Sequence, residues 1–329
     1  MTPRGIFSHS RRLLLLRRIF ASRLGARGYA NLAAFSVRRF LLGKEVPVSV
    51  MIALTYRCQC DCVHCAVSSL SRSGAGELKT AQVASLMRQA RGLGAIKVGF
   101  TGGEPLLRRD LPELVRRAYD EGLSNSIDTN GALLDSRLAR ELKRAGLSNM
   151  NVSLDHPEAR RHDRLRRLPG CHAAALRAVA HCADAGLPCV VSTYLTDRAM
   201  EGGAIEELVA LARSSGAAGV RVLFPIYSGK FHGRRKPLLS PENQRKFFAE
   251  IADGSFVYSE SPFFDFLTSR LECSMLKRLS VYVTPYGEVK SCYVSPRALG
   301  SVLERPLADI LARRCPSADR AAALDCQSC

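Results

Sequence analysis

Cys58, Cys62 and Cys65 are spaced C-x3-C-x2-C. Three thiolates on one short loop reach three irons of a cubane cluster and leave the fourth iron without a protein ligand. Such an iron can coordinate a substrate or cofactor, whereas a structural metal site is normally closed by a fourth ligand, as in structural zinc. Cys60 lies inside the loop and His64 just before its last cysteine. Cys60 is a candidate fourth ligand, or with Cys58 and His64 part of a zinc set. Plain buried thiols are the third reading.

A second group follows late in the chain. Cys273, Gly287 and Cys292 give C-x13-G-x4-C, and Cys326 and Cys329 give a terminal C-x2-C. Two such pairs close a zinc or a cubane site equally well on spacing alone. Cys315 is a spare that can exchange into this set. Cys171, Cys182 and Cys189 belong to neither group and read as buried core thiols; the alternative is a hydrogen-donating role at the site.

The elements that must carry these residues alternate. Short apolar strands are expected at Val48–Leu54, Ile96–Phe100, Ser126–Thr129, Asn149–Leu154, Cys189–Tyr194 and Val220–Phe224. Helices are expected at Lys79–Leu93 (Thr80 as cap), Asp110–Glu121, from the Asp135 cap to Ala145, Ala173–Ala185 and Ile205–Ser214, with glycines at 94, 122 and 146 ending the first three. Six strand–helix units imply right-handed crossovers and a parallel sheet, too few units for a closed eight-stranded barrel. An open (β/α)6 partial barrel and a flat doubly wound sheet both satisfy this rhythm. The rhythm changes near Phe231: a basic loop, a helix Pro241–Ile251 started by Ser240, then a hairpin of Ser280–Thr284 and Val289–Cys292 about Pro285-Tyr286-Gly287. The domain expectation is a basic, helical extension over 1–45, the partial barrel over 46–230, a linker and helix over 231–272, and a cysteine-rich unit over 273–329.

Composition limits the classes. The formal net charge is +18 over 329 residues, and residues 1–44 hold ten Lys or Arg with no Asp or Glu. The only clear apolar run there, Leu13–Leu16, is shorter than the roughly 7–15 residues of a secretory h-region. A cytoplasmic protein is therefore expected, for which clustered cysteines signal metal rather than disulfides. The basic extension reads either as a helix packed on the main domain or as peripheral membrane contact through residues 1–44. Without an aromatic-interleaved basic patch on the main domain, specific nucleic-acid binding is not expected.

The first loop resembles the signature of the radical S-adenosylmethionine (SAM) superfamily, C-x3-C-x2-C with an aromatic residue or His before the last Cys. The resemblance extends along the chain. Gly102-Gly103-Glu104-Pro105 is similar to the family's GGEP, Thr129-Asn130-Gly131 to its TNG turn, Val152-Ser153-Leu154-Asp155 to the end of its fourth strand, and His162-Asp163-Arg164-Leu165-Arg166 to its HDRxR segment. Where members often carry Gly after that arginine, this chain has Arg167. The resemblance implies an α/β fold with a (β/α)6 partial TIM barrel. It implies a [4Fe-4S] cluster on Cys58, Cys62 and Cys65 whose open iron holds SAM. Reductive cleavage of SAM then yields a 5′-deoxyadenosyl radical that abstracts hydrogen. It assigns Gly102, Gly103, Glu104, Pro105, Asn130, Ser153, Asp155 and Arg166 to SAM, with Glu104 on the methionine ammonium. Two glycines favour close backbone approach there.

The C-terminal pattern resembles the twitch form of the SPASM extension, which implies an auxiliary [4Fe-4S] cluster on Cys273, Cys292, Cys326 and Cys329 serving electron transfer. Leu299–Val302 and Leu307–Leu311 resemble the linker of such domains. The implied reaction is net oxidation of a peptide or small-metabolite substrate, with an electron donor such as flavodoxin or ferredoxin. The N-terminal stretch lacks the strand pattern of a leader-recognition domain, so a peptide calls for a separate carrier protein or for the basic helix. Tyr227, Lys230, His232 and Arg234 are candidates for the substrate side. Two other functions fit: a radical SAM enzyme acting on a lipid or membrane-borne substrate, and a non-enzymatic zinc-binding interaction protein.

Overall fold

The computed structural model describes residues 25–44, 46–225, 228–231, 238–259, 279–292, 295 and 297–312. All six expected strands form and run parallel in chain order: β1 (Ser49–Thr55), β2 (Lys97–Gly102), β3 (Ser124–Thr129), β4 (Asn149–Ser153), β5 (Cys189–Tyr194) and β6 (Gly219–Leu223). The helices are α1 (Ala26–Ser36) ahead of the sheet, then α2 (Thr80–Gly92), α3 (Leu111–Asp120), α4 (Ser136–Ala145), α5 (Ala159–Arg166), α6 (Cys171–Asp184), α7 (Asp197–Glu201) and α8 (Ala204–Ser214). Local chemistry fixes several ends. Asp135 accepts from the Leu138 N–H at 2.7 Å to cap α4, and Gly146 closes it at φ +97°. Thr80 does not cap α2; its hydroxyl donates to Asp110 Oδ2 at 2.6 Å, and Lys79 is the cap residue.

The sheet is wider than six strands. β7 (Val257–Ser259) adds parallel to β6, and β8 (Ser280–Val283) adds parallel to β1. The hairpin of β8 with β9 (Glu288–Lys290) is thus continuous with the main sheet, and β10 (Gly300–Ser301) extends it. The order is β10-β9-β8-β1-β2-β3-β4-β5-β6-β7. The expected helix after Ser240 divides into α9 (Pro241–Lys246) and a π turn at Phe247–Ile251. The last described helix is α10 (Leu307–Ala312).

One face of every central strand feeds a single apolar core under the helices: Ile52, Val98, Phe100, Ile127, Met150, Val152, Val191, Val220 and Val222 pack there with Leu86, Leu114, Leu142 and Ala178. The other face is mixed: Lys97, Asp128, Asn151, Ser153 and Arg221 share it with Met51, Ala53 and Val190. Helix α1 docks outside this core. Phe35 packs with Val46, Val48, Ile96 and Leu279, and Asn31 donates to the carbonyls of Glu121 and Gly122. The packed-helix reading therefore holds for residues 26–36; residues 1–24 lie outside the described residues.

Candidate active site

The expected site residues gather at the C-terminal ends of β1 to β4, where parallel α/β sheets bind ligands. The cysteine loop leaves β1 and is clamped to the end of α5 by Asp61 N–H to the Arg166 carbonyl (3.2 Å) and Val63 N–H to the Leu165 carbonyl (2.9 Å). The Lys230 N–H donates to the Cys65 carbonyl at 3.0 Å, and its ammonium pairs with Asp61. Lys230 therefore braces this loop; Tyr227, His232 and Arg234 lie outside the described residues.

Two donors aim at the thiols. Asn130 Nδ2 is 3.7 Å from Cys58 Sγ, and Arg166 Nη1 is 3.7 Å from Cys62 Sγ. Hydrogen bonding from the Cys60 thiol, with the Arg166 charge, brings Cys62 down to about 7 against the burial that raises it. The Cys60 thiol likewise lowers Cys58, while burial raises Cys65. Thiolate is the form that ligates metal. His64 is drawn down to about 4 by burial, so it is neutral at pH 7; its ring lies 4.2 Å from that of Tyr194, and its Nε2 is 3.6 Å from Asp155.

Arg166 is set by Asp155. Its Nε and Nη2 donate to the two carboxylate oxygens at 2.6 and 2.9 Å, a bidentate pair buried at the rim. The Asp155 N–H donates to His162 Nδ1 at 3.0 Å. The hydroxyl of Ser153, at the end of β4, makes no hydrogen bond with any described residue.

Glu104 is fully buried and joins two turns. It accepts from the Leu106 N–H (3.0 Å), the Thr129 hydroxyl (2.7 Å) and the Asn130 N–H (2.9 Å). These bonds leave its carboxylate one lone pair on the Asn130 side. The two glycines before it serve the protein's own backbone: a Cβ at Gly102 would lie 2.1 Å from the Thr55 carbonyl oxygen, and one at Gly103 would lie 2.3 Å from that of Arg57. Thr129, read as the start of the TNG turn, serves here as a donor to Glu104, and Tyr194 was missed because its place comes through His64 on another element.

The donor set fits an iron–sulfur cluster. Among the described residues no three His, Cys, Asp or Glu side chains converge on one ion. Thiols spread along a loop suit a cluster in which each iron takes one of them. The buried polar atoms without partners include Gln59 Oε1, His64 Nδ1, His162 Nε2 and Ser228 Oγ on this side, and Ser124 Oγ and Asn125 Oδ1 at the far end of β3. The first two sit on the loop, His162 backs Asp155, and Ser228 adjoins the Gly229–Cys65 contact. Orphaned groups around one site are what a bound group would relieve.

Cys171 is buried, as expected, and heads α6 with its thiol against Cys60 and His162; the Cys60 hydrogen bond takes it down to about 5. Cys182 and Cys189 are free core thiols hydrogen-bonded to each other. Of the second cysteine group, Cys292 is described and partly exposed beyond β9; Cys273, Cys315, Cys326 and Cys329 lie outside the described residues.

Parallel strands in this order, with a thiol-bearing loop above them, define the radical SAM class of partial barrel. Residues 52–212 match the family model of the radical SAM superfamily. The chain is 30% identical over 261 residues to the PqqA peptide cyclase of Gluconobacter oxydans, covering 76% of this chain and 71% of that one. It is 33% identical over 186 residues to the AdoMet-dependent heme synthase of Methanosarcina barkeri, covering 56% of this chain and about half (53%) of that protein's length. Its fold is similar to that of Streptococcus suis SuiB bound to precursor peptide SuiA, with TM-score 0.67, 16% identity, and coverage of 85% of this chain and 68% of that one. The chain belongs to the radical SAM superfamily and is an enzyme of that class. Membership implies a [4Fe-4S] cluster and SAM. No described helix is long and apolar enough to cross a membrane.

Proposed function

We propose that this enzyme modifies a peptide by hydrogen abstraction, with net oxidation through an auxiliary cluster. The observation that carries the reading is the loop of Cys58, Cys62 and Cys65, with Asn130 and Arg166 aimed at two of its thiols. These thiols would hold the cluster, which when bound supplies the electron that cleaves SAM. Arg166 keeps a positive charge beside Cys62, and the hydrogen bonds to sulfur from Arg166 and Asn130 favour the reduced cluster. Glu104, Asn130 and Ser153 form the SAM side, and Gly102 and Gly103 hold that side together. Support for a peptide comes from the PqqA peptide cyclase relative, whose similarity covers 76% of this chain.

Cys273, Cys292, Cys326 and Cys329 are the proposed ligands of the auxiliary [4Fe-4S] cluster, in a twitch/SPASM-like unit over 273–329. An acidic electron donor of the flavodoxin or ferredoxin kind suits the face of α5. There a cavity of ≈ 690 Å³ is lined by Val63, Arg160, Asp163, Arg164 and Arg167, next to the loop. Exposed Phe40, Leu41 and Leu42 beside Arg38, Arg39 and Lys44 support a peripheral membrane contact from the cytoplasmic side.

The test is anaerobic reconstitution followed by iron and sulfide analysis. The reading expects about eight irons, and about four after Cys58, Cys62 and Cys65 are changed to Ala. With reductant and SAM, only the parent protein should release 5′-deoxyadenosine. A peptide fraction from the native host should then show a species with net loss of hydrogen by mass spectrometry. Zinc without iron would overturn the enzyme reading. Four irons would remove the auxiliary cluster alone. SAM cleavage without any altered peptide would overturn the peptide substrate. Co-sedimentation with anionic vesicles at low salt tests the membrane contact, and no binding there refutes it.

A further inference from the structure

Among the described residues, the inner face of the sheet around Asp128 carries two cations, Lys97 and Arg221, against one carboxylate. Asp128 on β3 accepts from Arg221 Nη2 of β6 at 2.7 Å and from Asn151 Nδ2 of β4 at 2.8 Å. Arg221 Nε also donates to Ser192 of β5 at 2.9 Å. One carboxylate is thus engaged by one guanidinium reaching across the lumen. Lys97, the first residue of β2, faces the same space. Its strand neighbours Val98 and Phe100 point into the outer core, while Gly99 faces Met51 and Ser126 on the inner side.

The Lys97 ammonium is within electrostatic reach of Arg221 and Asp128, yet it makes no hydrogen bond or ion pair with any described residue. Burial brings its pKa down to about 8, and Arg221 adds to the repulsion. Tyr258 of β7, also inward, stays neutral because burial raises it. Among the described residues, Asp128 is the carboxylate that faces both Arg221 and Lys97, so the Lys97 charge has no counter-ion of its own there. Holding such a charge costs free energy that no internal contact returns.

We propose that Lys97, backed by Arg221, is the binding point for a carboxylate of the substrate inside the barrel. This rests on the radical SAM peptide reading above. A singly charged carboxylate balances the single spare cation, whereas a phosphate dianion would overbalance it. The Arg221 fork, taken by Asp128 and Ser192, is not available as a second bidentate clamp. The carboxylate can come from an acidic side chain or from a peptide C-terminus.

Calorimetry on the reconstituted holoprotein with three small probes separates these sources. N-acetyl-glutamate amide carries only the side-chain carboxylate, N-acetyl-glutamine only the terminal one, and N-acetyl-glutamine amide neither. At least one charged probe should bind about tenfold more tightly than the neutral one, and the tighter probe names the source. Lys97→Met should reduce that preference to about twofold or less, and Lys97→Arg should retain most of it. Because Lys97→Met removes an unpaired cation, its melting temperature should equal or exceed that of the parent. Equal binding of all three probes, no binding of any, or a preference that survives Lys97→Met would overturn the proposal. So would a large fall in melting temperature, which would reveal an internal partner. SAM cleavage by the parent protein in the same preparation reports separately on the radical SAM reading.

Discussion

The two faces of the same strands do opposite work. Outward, Val98 and Phe100 of β2, Ile127 of β3, Val152 of β4 and Val222 of β6 join the core beneath the helices. Inward, the same strands present Lys97, Asp128, Asn151, Ser153 and Arg221. A closed eight-stranded barrel fills its interior with branched apolar side chains. Here the interior mixes apolar side chains such as Met51, Ala53 and Val190 with charged ones cross-linked by hydrogen bonds, at a cost in stability. The outer face therefore decides whether the chain folds, and the inner face with its rim decides what the fold does.

The largest effect should follow from breaking the outer face. Phe100 is fully buried, so Phe100→Ala should cost about 3–5 kcal/mol in anaerobic chemical denaturation. A loss below about 1 kcal/mol would mean that the sheet–helix core is not the principal source of stability. Next is the rim. Asp155→Asn breaks a buried bidentate pair and strands Arg166, for an expected loss of about 3 kcal/mol at pH 7. Its pH dependence has a definite sign. Burial raises the Asp155 carboxyl, but Arg166, His64 and His162 more than offset this and leave it below its ordinary value. The stability it contributes is present above the unfolded pKa of about 3.9 and is lost as pH falls through the lower folded value. The gap between parent and variant should therefore close in acid; a constant gap would show that geometry, not charge, holds Arg166.

A sharper contrast comes from Ser153, at the inner end of β4. Its hydroxyl has no partner among the described residues, so Ser153→Ala should change stability by no more than about 0.5 kcal/mol. It should nevertheless weaken SAM binding to the holoprotein by about fivefold, the worth of one hydrogen bond. Unchanged SAM affinity would remove Ser153 from the proposed site.

How much of this was legible depended on sequence distance. The Cys58–Cys65 loop and the Gly102–Pro105 turn are local patterns, and the strand rhythm repeats within short windows, so both could be read directly. The Asp128–Arg221 pair joins residues 93 apart, and neither residue stands out in its own strand. Cys171 reads as a buried thiol and is one, but only the fold brings it to Cys60. β7 is three residues long, too short to show a period of two. The pairing of β8 with β1 joins strands from opposite ends of the chain, so the hairpin read as a separate unit.

The smallest effect is expected where this chain departs from its family. Arg167 ends α5 at φ +50°, ψ +40°, and is the one non-glycine at positive φ among the described residues. A side chain in that conformation costs about 1 kcal/mol or more, which glycine avoids. Arg167 also pairs with Asp61 at 2.8 Å, with both side chains more than half exposed, and such pairs contribute little. Arg167→Gly gains the relief of strain and gives up part of it through the greater freedom of the unfolded chain. The net expectation is a gain of roughly 0.5 kcal/mol, or about 1–2 °C in melting temperature. A clear loss would instead make the Arg167–Asp61 contact a fixed strut of the cysteine loop, and iron retention by the variant would then fall with it. That result would extend the rim's part in holding the fold outward to a surface arginine.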